Sequence, residues 1–253
     1  MDCIVLAGGY ARRMSPLTDN QPKHLLPVAG RPMIQYVLDK IEAAPGLRDV
    51  YISTNSRFES HFRTFLEGYR SRAPIRLVVE QTCSESEKLG SLGAIAFIVE
   101  KEKLDDELLI IGGDNLFDFQ LGELLAFYRE KRGVVIAVYD VGMAAMSSLY
   151  GVATLGSNSM VTSFQEKPRC LAATACYVLP RESLQQLKEY LALRNNADAM
   201  GNFIQWLLKY RTPVYGYLFD GNWFDIGSIE SYKEADECYA GRASAAKGAR
   251  VVR

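Results

Sequence analysis

The chain has 253 residues, 48% hydrophobic and 23% charged, which is the make-up of a globular protein long enough for one large domain or two small ones. Its 29 Lys and Arg against 30 Asp and Glu give a net charge of −1, removing any global electrostatic case for nucleic acid or an anionic membrane as partner. Five scattered cysteines with no CxxC pair exclude a zinc ribbon or disulfide scaffold, and with no bilayer-length apolar stretch or signal-peptide core the expectation is a cytoplasmic protein with reduced thiols.

In chain order, the apolar run 3–7 predicts a first strand. Residues 33–43, apolar at 33, 34, 37, 38 and 41, predict a helix. Runs 49–54, 75–80, 108–112 and 134–139 read as further strands, with crossover helices over 91–100 and 121–129. Most of these strands are near-continuous apolar runs, as expected of a sheet covered on both faces. Their alternation with helices predicts a parallel α/β sheet that binds ligands outside the carboxyl ends of its strands. Beyond about residue 150 the pattern becomes a hairpin (151–155 and 161–168, with a polar turn at 157–159) and a strand over 173–179. Helices over 182–191 and 201–210, a strand over 213–219 and a short helix through 231–236 follow. No repeat or linker interrupts the chain, so residues 1–240 are expected to form one domain. The unpatterned tail 241–253 is expected to be disordered.

The sequence lacks GxxxxGK[ST], GxGxxG, HExxH and GxSxG, so P-loop, dinucleotide-binding, zincin and α/β-hydrolase readings have no defining residues. Its chemistry points elsewhere. The first strand, through Leu6 and Ala7, empties into Gly8 and Gly9, followed by Arg12, Arg13 and Lys23; backbone N–H groups and cations in that order suit a phosphate. A tight turn with solvated arginines is the plain alternative. Asp114 follows an apolar strand and two glycines, where a carboxylate can hold Mg²⁺ against phosphates or simply cap a helix. Asp225, between Phe224 and Ile226, is its candidate companion. Glu166 and Lys167, stiffened by Pro168, suit a hydroxylated, phosphorylated ligand, the carboxylate taking hydroxyls and the ammonium phosphate; a solvated charge pair is the alternative. Gly90 opens a helix whose N–H groups can serve a base or phosphate. Neither histidine, His24 or His61, is given a role.

Taken together, the glycine loop with its arginine, the Pro22-Lys23 segment, Gly113-Asp114-Asn115, Glu166-Lys167-Pro168 and Trp223-Phe224-Asp225-Ile226-Gly227 resemble, in order, the sugar-1-phosphate nucleotidylyltransferases. They resemble in particular the glucose-1-phosphate thymidylyltransferase-like members. The resemblance runs over about residues 2–239 and implies a three-layer α/β/α Rossmann-like fold with a mixed, mainly parallel sheet. A nucleotide-binding part would occupy about 1–140 and a sugar-binding part about 141–240. It implies the reaction NTP + sugar 1-phosphate ⇌ NDP-sugar + pyrophosphate, with dTTP or UTP and glucose 1-phosphate as the expected pair.

Carried over by position, Leu6, Ala7, Gly8, Gly9, Arg13, Gln81 and Gly90 would contact the nucleotide, with Glu80 as the alternative to Gln81 at the base. Arg13, Lys23 and Lys167 would neutralise charge during transfer, Glu166 and Lys167 would bind the sugar phosphate, and Asp114 and Asp225 would bind Mg²⁺. Homo-oligomers are common among such proteins. Three departures stand out: Ala11 and Arg12 replace the usual glycine and hydroxyl residue, 173–177 loses an Asn and a Gly near the sugar, and 82–89 enlarges a segment at the nucleotide end. The altered 173–177 segment motivates a second reading, a catalytically silent NDP-sugar-binding subunit of the same fold.

Overall fold

Strand β1 (Asp2–Leu6) is the axis of the molecule, because its side chains alternate between two separate cores. Cys3 and Val5 lie in one and Ile4 in the other, all fully buried. An unbroken apolar run is the sequence signature of this two-sided burial. The computed structural model describes residues 1–142, 152–164 and 171–251. After β1 come the short β2 (Pro27–Val28) and β3 (Arg31–Pro32), α1 (Met33–Ala43), β4 (Val50–Asn55), α2 (Glu59–Gly68) and β5 (Ile75–Glu80). Then follow α3 (Gly90–Lys101), β6 (Leu108–Gly112), β7 (Asn115–Phe117), α4 (Leu121–Lys131) and β8 (Val134–Asp140). The remainder comprises β9 (Val152–Leu155), β10 (Val161–Phe164), β11 (Leu171–Leu179), α5 (Glu182–Ala192), α6 (Met200–Lys209), β12 (Val214–Leu218), β13 (Trp223–Asp225) and α7 (Ile229–Val251).

One nine-stranded sheet carries the path β10-β9-β11-β6-β1-β4-β5, with β8 against β11 and β12 beyond β8. The β6-β1-β4-β5 pairings are parallel, as the alternating pattern predicts. Strand β11 reverses the sheet, running antiparallel to β6, β8 and β9, so the sheet is mixed, as the resemblance implies. Helices α1 and α4 feed one core, while α3, α5 and α6 feed the other.

Three features escape the periodic reading. Helix α2 is passed over although it has an apolar stripe: Phe62 is fully buried, and Phe65 and Leu66, three and four residues on, pack against the same core. Strands β7 and β13 are three residues each, too short for alternation to register, yet they pair as a separate ribbon. The tail expected to be disordered is corrected: α7 continues to Val251, and its alanine-rich stretch after 240 is favoured by intrinsic helix propensity without an apolar stripe.

Helix α7 clamps the early loops. Tyr232 donates to Pro27 O (2.6 Å), Asp236 accepts from Ala29 N–H (2.7 Å), and Arg242 grips both oxygens of Asp118 (2.7 and 2.9 Å). Partial burial tends to raise the Asp118 carboxyl, but hydrogen bonds from Arg242 and Asn222 outweigh it and hold the group at about 2. A depressed carboxyl contributes stability above its unfolded pKa and loses it as pH falls through the folded value. Replacing Arg242 by Ala should therefore lower unfolding stability by about 1 kcal/mol at pH 7, the pair being partly solvated. The gap from wild type should close as pH falls from about 4 toward 2, as urea titrations at several pH values will read; a pH-independent gap would refute this.

Candidate active site

The loop leaving β1 is fixed before it reaches any ligand. Ala7 N–H donates to Ser53 O (3.0 Å), Asn55 Nδ2 to Gly8 O (2.9 Å), and Thr18 Oγ1 to Ala11 O (3.0 Å). Met14 is fully buried beneath it. Ala11 takes a left-handed conformation (φ 48°), which accounts for the glycine common at this position in the proteins the chain resembles. Arg12 and Arg13 are exposed, and neither has a hydrogen bond or ion pair among the described residues. They stand at the rim of a cleft of about 520 Å³ that Leu6, Gly8, Gly9, Lys23, Glu80, Gly90 and Asp114 also line, and the Arg13 charge acts on Asp225.

Gly112 and Gly113 end β6 at the same edge. A Cβ on Gly113 would stand 3.1 Å from Leu6 O and from the His24 ring; one on Gly112 would stand 2.9 Å from Asp114 Oδ1 and from the Ala175 methyl. Glycine is needed here for space, so that β6 can deliver Asp114 against the β1 loop. Lys23, only 9% exposed, donates from Nζ to Asp114 Oδ2 at 2.6 Å. Asp225 arrives from the far end of the sequence on the β7·β13 ribbon, where it sits opposite Asn115. Ile226 N–H closes the link to Asp114 O at 3.1 Å.

The two carboxyls are shifted in opposite directions. Burial penalises the Asp114 anion, but Lys23 and its hydrogen bond prevail and keep the carboxyl below the usual range. Asp225 is pushed upward, first by burial and then by the negative charge of Asp114. His24 is fully buried and lowered to about 4, so it is neutral at pH 7 and adds no cation. Asp114 at a phosphate-sized cleft, with Asp225 linked to it through Asn115, offers hard carboxylate oxygens that fit a Mg²⁺ sharing its coordination with substrate phosphates. Among the described residues no group of three or more His, Cys, Asp or Glu gathers as a self-sufficient cage.

The other expected residues are placed as follows. Ala7 is buried under the loop, Gln81 is exposed and does not line the cleft, and its neighbour Glu80 does, accepting from Ser53 Oγ at 2.7 Å. Gly90 lines the cleft, but the start of α3 is partly occupied: Leu92 N–H donates to Ala197 O (2.9 Å) and Ser91 Oγ to Asp198 O (2.8 Å). In the 82–89 segment, Lys88 bridges Glu85 (2.9 Å) and Asp198 (3.1 Å) at the cleft edge. Glu166 and Lys167 lie outside the described residues. Sequence reasoning gave no role to Ser53, Ser91, Ala175, Asp198, Asn115 or Trp223, although Asn115 and Trp223 lie within quoted motifs, Ser91 follows Gly90 and Ala175 lies in the altered 173–177 segment; Ser53 and Asp198 carried no signal. Ala175 reaches the cleft where the β11·β8 register shifts between Ala173 and Tyr177.

Residues 2–241 match the family described as nucleotidyl transferase. Among curated relatives, a UTP–glucose-1-phosphate uridylyltransferase from Synechocystis sp. is 25% identical over 246 residues, covering 93% of this chain and 62% of its own length. A glucose-1-phosphate adenylyltransferase from Geobacter metallireducens is 28% identical over 268 residues, covering 92% and 64%. The chain thus spans less than two thirds of the length of these relatives. A crystal structure of a UDP-glucose pyrophosphorylase complexed with UDP-glucose superposes with a TM-score of 0.79 at 22% identity, covering 95% of this chain and 98% of that one. Among the described residues no helix is long and apolar enough to cross a membrane.

Removing one partner of a buried ion pair leaves the other uncompensated. Lys23→Met should destabilise the fold by about 3 kcal/mol at pH 7 in denaturant unfolding, because Asp114 then faces Asp225 alone. The double variant Lys23→Met/Asp114→Asn should recover most of that loss. Equal stability of the single and double variants would show that the Lys23–Asp114 contact carries no such burden.

Proposed function

This chain belongs to the nucleotidyl transferase family, and from that premise we propose that it transfers a nucleotidyl group from an NTP to a sugar 1-phosphate, releasing pyrophosphate. One observation carries the reading: two exposed arginines on a glycine loop face a cleft lined by Lys23 and Asp114, and Asp225 is linked to Asp114 through Asn115. The sugar phosphate is already an anion at neutral pH, so its oxygen needs no general base. That oxygen bonds to the α-phosphorus as the bond to the departing pyrophosphate oxygen breaks, in line. What the protein must supply is alignment and positive charge.

Arg13 and the loop N–H groups of Gly8 and Gly9 meet the triphosphate, while Lys23 is placed to share its charge between Asp114 and phosphate oxygens. Leu6, Glu80 and Gly90 bound the nucleotide end. Glu166 and Lys167 are assigned to the sugar phosphate by the motif they form. Asp114 and Asp225 are the residues that would hold Mg²⁺, which when bound adds Lewis-acid neutralisation of phosphate charge. Our finer reading is dTTP or UTP with glucose 1-phosphate. The sugar phosphate is supported by its presence in the names of both relatives above, and the pyrimidine by one of them and by the nucleotide sugar in the superposed structure.

A matrix of NTPs against sugar 1-phosphates, with Mg²⁺ and a pyrophosphate readout, tests this directly. At least one pair should turn over, fastest with dTTP or UTP, and Asp114→Asn or Asp225→Asn should each cost at least about 10²-fold. Silence across the matrix would overturn the transferase reading, and NDP-sugar binding without turnover would favour the silent binding subunit instead.

A further inference from the structure

Asp114 and Asp225 carry like charges, yet the ribbon's register does not place them opposite one another: Asp225 pairs with Asn115. Asn115, 2% exposed, spans the remaining gap with its side chain. Its Nδ2 donates to Asp114 Oδ1 at 3.0 Å and to Asp225 Oδ1 at 3.3 Å. Its Oδ1 accepts the Trp223 indole N–H at 2.8 Å and the Ala175 backbone N–H at 3.4 Å. Two donors and two lone pairs are thereby all used. The amide orientation follows from the partners, since the carboxylate oxygens here accept and the two N–H groups can only donate; a flipped amide would oppose like with like on both sides.

We propose that Asn115 is a positioning residue, a clip that ties Asp114 and Asp225 into one acidic pair before any ligand arrives. This rests on the reading that those two aspartates form the Mg²⁺-holding pair. Three strands contribute: β13 through Trp223 and Asp225, β11 through Ala175, and β7 through Asn115 itself. A neutral donor is the group the position calls for. Aspartate there would keep the indole contact but replace both donors with a third negative charge; leucine would orphan the indole and the Ala175 N–H in a buried site.

The chain has two tryptophans, Trp206 and Trp223, so a ¹⁵N-labelled sample gives two indole N–H cross-peaks, and Trp206→Phe assigns them. Mg²⁺ alone is the probe, with no substrate present. In the wild-type protein the Trp223 peak should move on Mg²⁺ addition and report its affinity. Asn115→Ala should shift that peak in the metal-free protein, weaken Mg²⁺ binding by about 10-fold or more, and uncouple the peak from Mg²⁺. Trp223→Phe, a gentler change read by calorimetry, leaves the amide unanchored and should weaken Mg²⁺ by a smaller factor. A folded Asn115→Ala protein with wild-type Mg²⁺ affinity would overturn the clip, as would wild-type affinity in Trp223→Phe if Asn115→Ala does not fold. A wild-type Trp223 peak indifferent to Mg²⁺ would also overturn it. None of these readouts needs turnover, so a failed activity matrix and a failed clip remain separate results.

Discussion

The structure around the cleft depends on holding two carboxylates side by side at the edge of a low-dielectric core. Left alone, Asp114 and Asp225 would repel, and burial would press both toward the neutral acid. Lys23 resolves half of the problem by placing a full positive charge 2.6 Å from Asp114. The other half is geometric: one aspartate follows a strand of the parallel sheet, and the other arrives 111 residues later on a separate two-stranded ribbon packed on one of the two cores. What keeps them adjacent is backbone pairing of β7 with β13 and the Ile226 to Asp114 hydrogen bond.

That constraint explains features that otherwise look incidental. Gly112 and Gly113 are required because Leu6 O, His24, Ala175 and the Asp114 carboxylate occupy the space a side chain would fill. The shifted β11·β8 register turns Ala175 toward the cleft and gives its N–H a partner in Asn115. Helix α7 secures the ribbon indirectly: Arg242 holds Asp118, and Asp118 receives both the backbone and side-chain N–H groups of Asn222, beside the start of β13. Loss of precision anywhere in this series would reach the acidic pair.

How much of this was legible depended on chain distance and element length. The strands at 3–7 and 108–112 were readable because both faces are buried, and the helix at 33–43 because its apolar residues recur at helical spacing. The glycine loop with its following cations could be singled out from residue type alone, and it does line the cleft. Asp225 could be suspected from its apolar flanks, but its meeting with Asp114 is a tertiary event between three-residue strands. Helix α2 was passed over although Phe62, Phe65 and Leu66 recur at helical spacing, whereas the end of α7 is alanine-rich, which favours a helix without writing an apolar pattern. Gln81 and Glu80 show the limit of a single-residue register: adjacent strand-end residues face opposite ways, so an alignment uncertain by one position exchanges a cleft residue for an exposed one.

The distribution of charge also says which steps the site is organised for. With a net charge of −1 the chain gains nothing from its overall field in attracting the proposed triphosphate substrate, so on that reading capture relies on local cations. Arg12 and Arg13 are suited to that because they are exposed and, among the described residues, make no hydrogen bond or ion pair. Lys23 is the opposite case: buried and committed to Asp114, it is poorly placed to draw ligand from solution but rigidly placed to act on what has arrived. Exposed arginines at the rim and a bound lysine at the floor divide affinity from alignment. A reaction whose nucleophile is already charged requires that division, because its barrier lies in bringing two anions into line, and fixed positive charge lowers that barrier only where it need not reorganise.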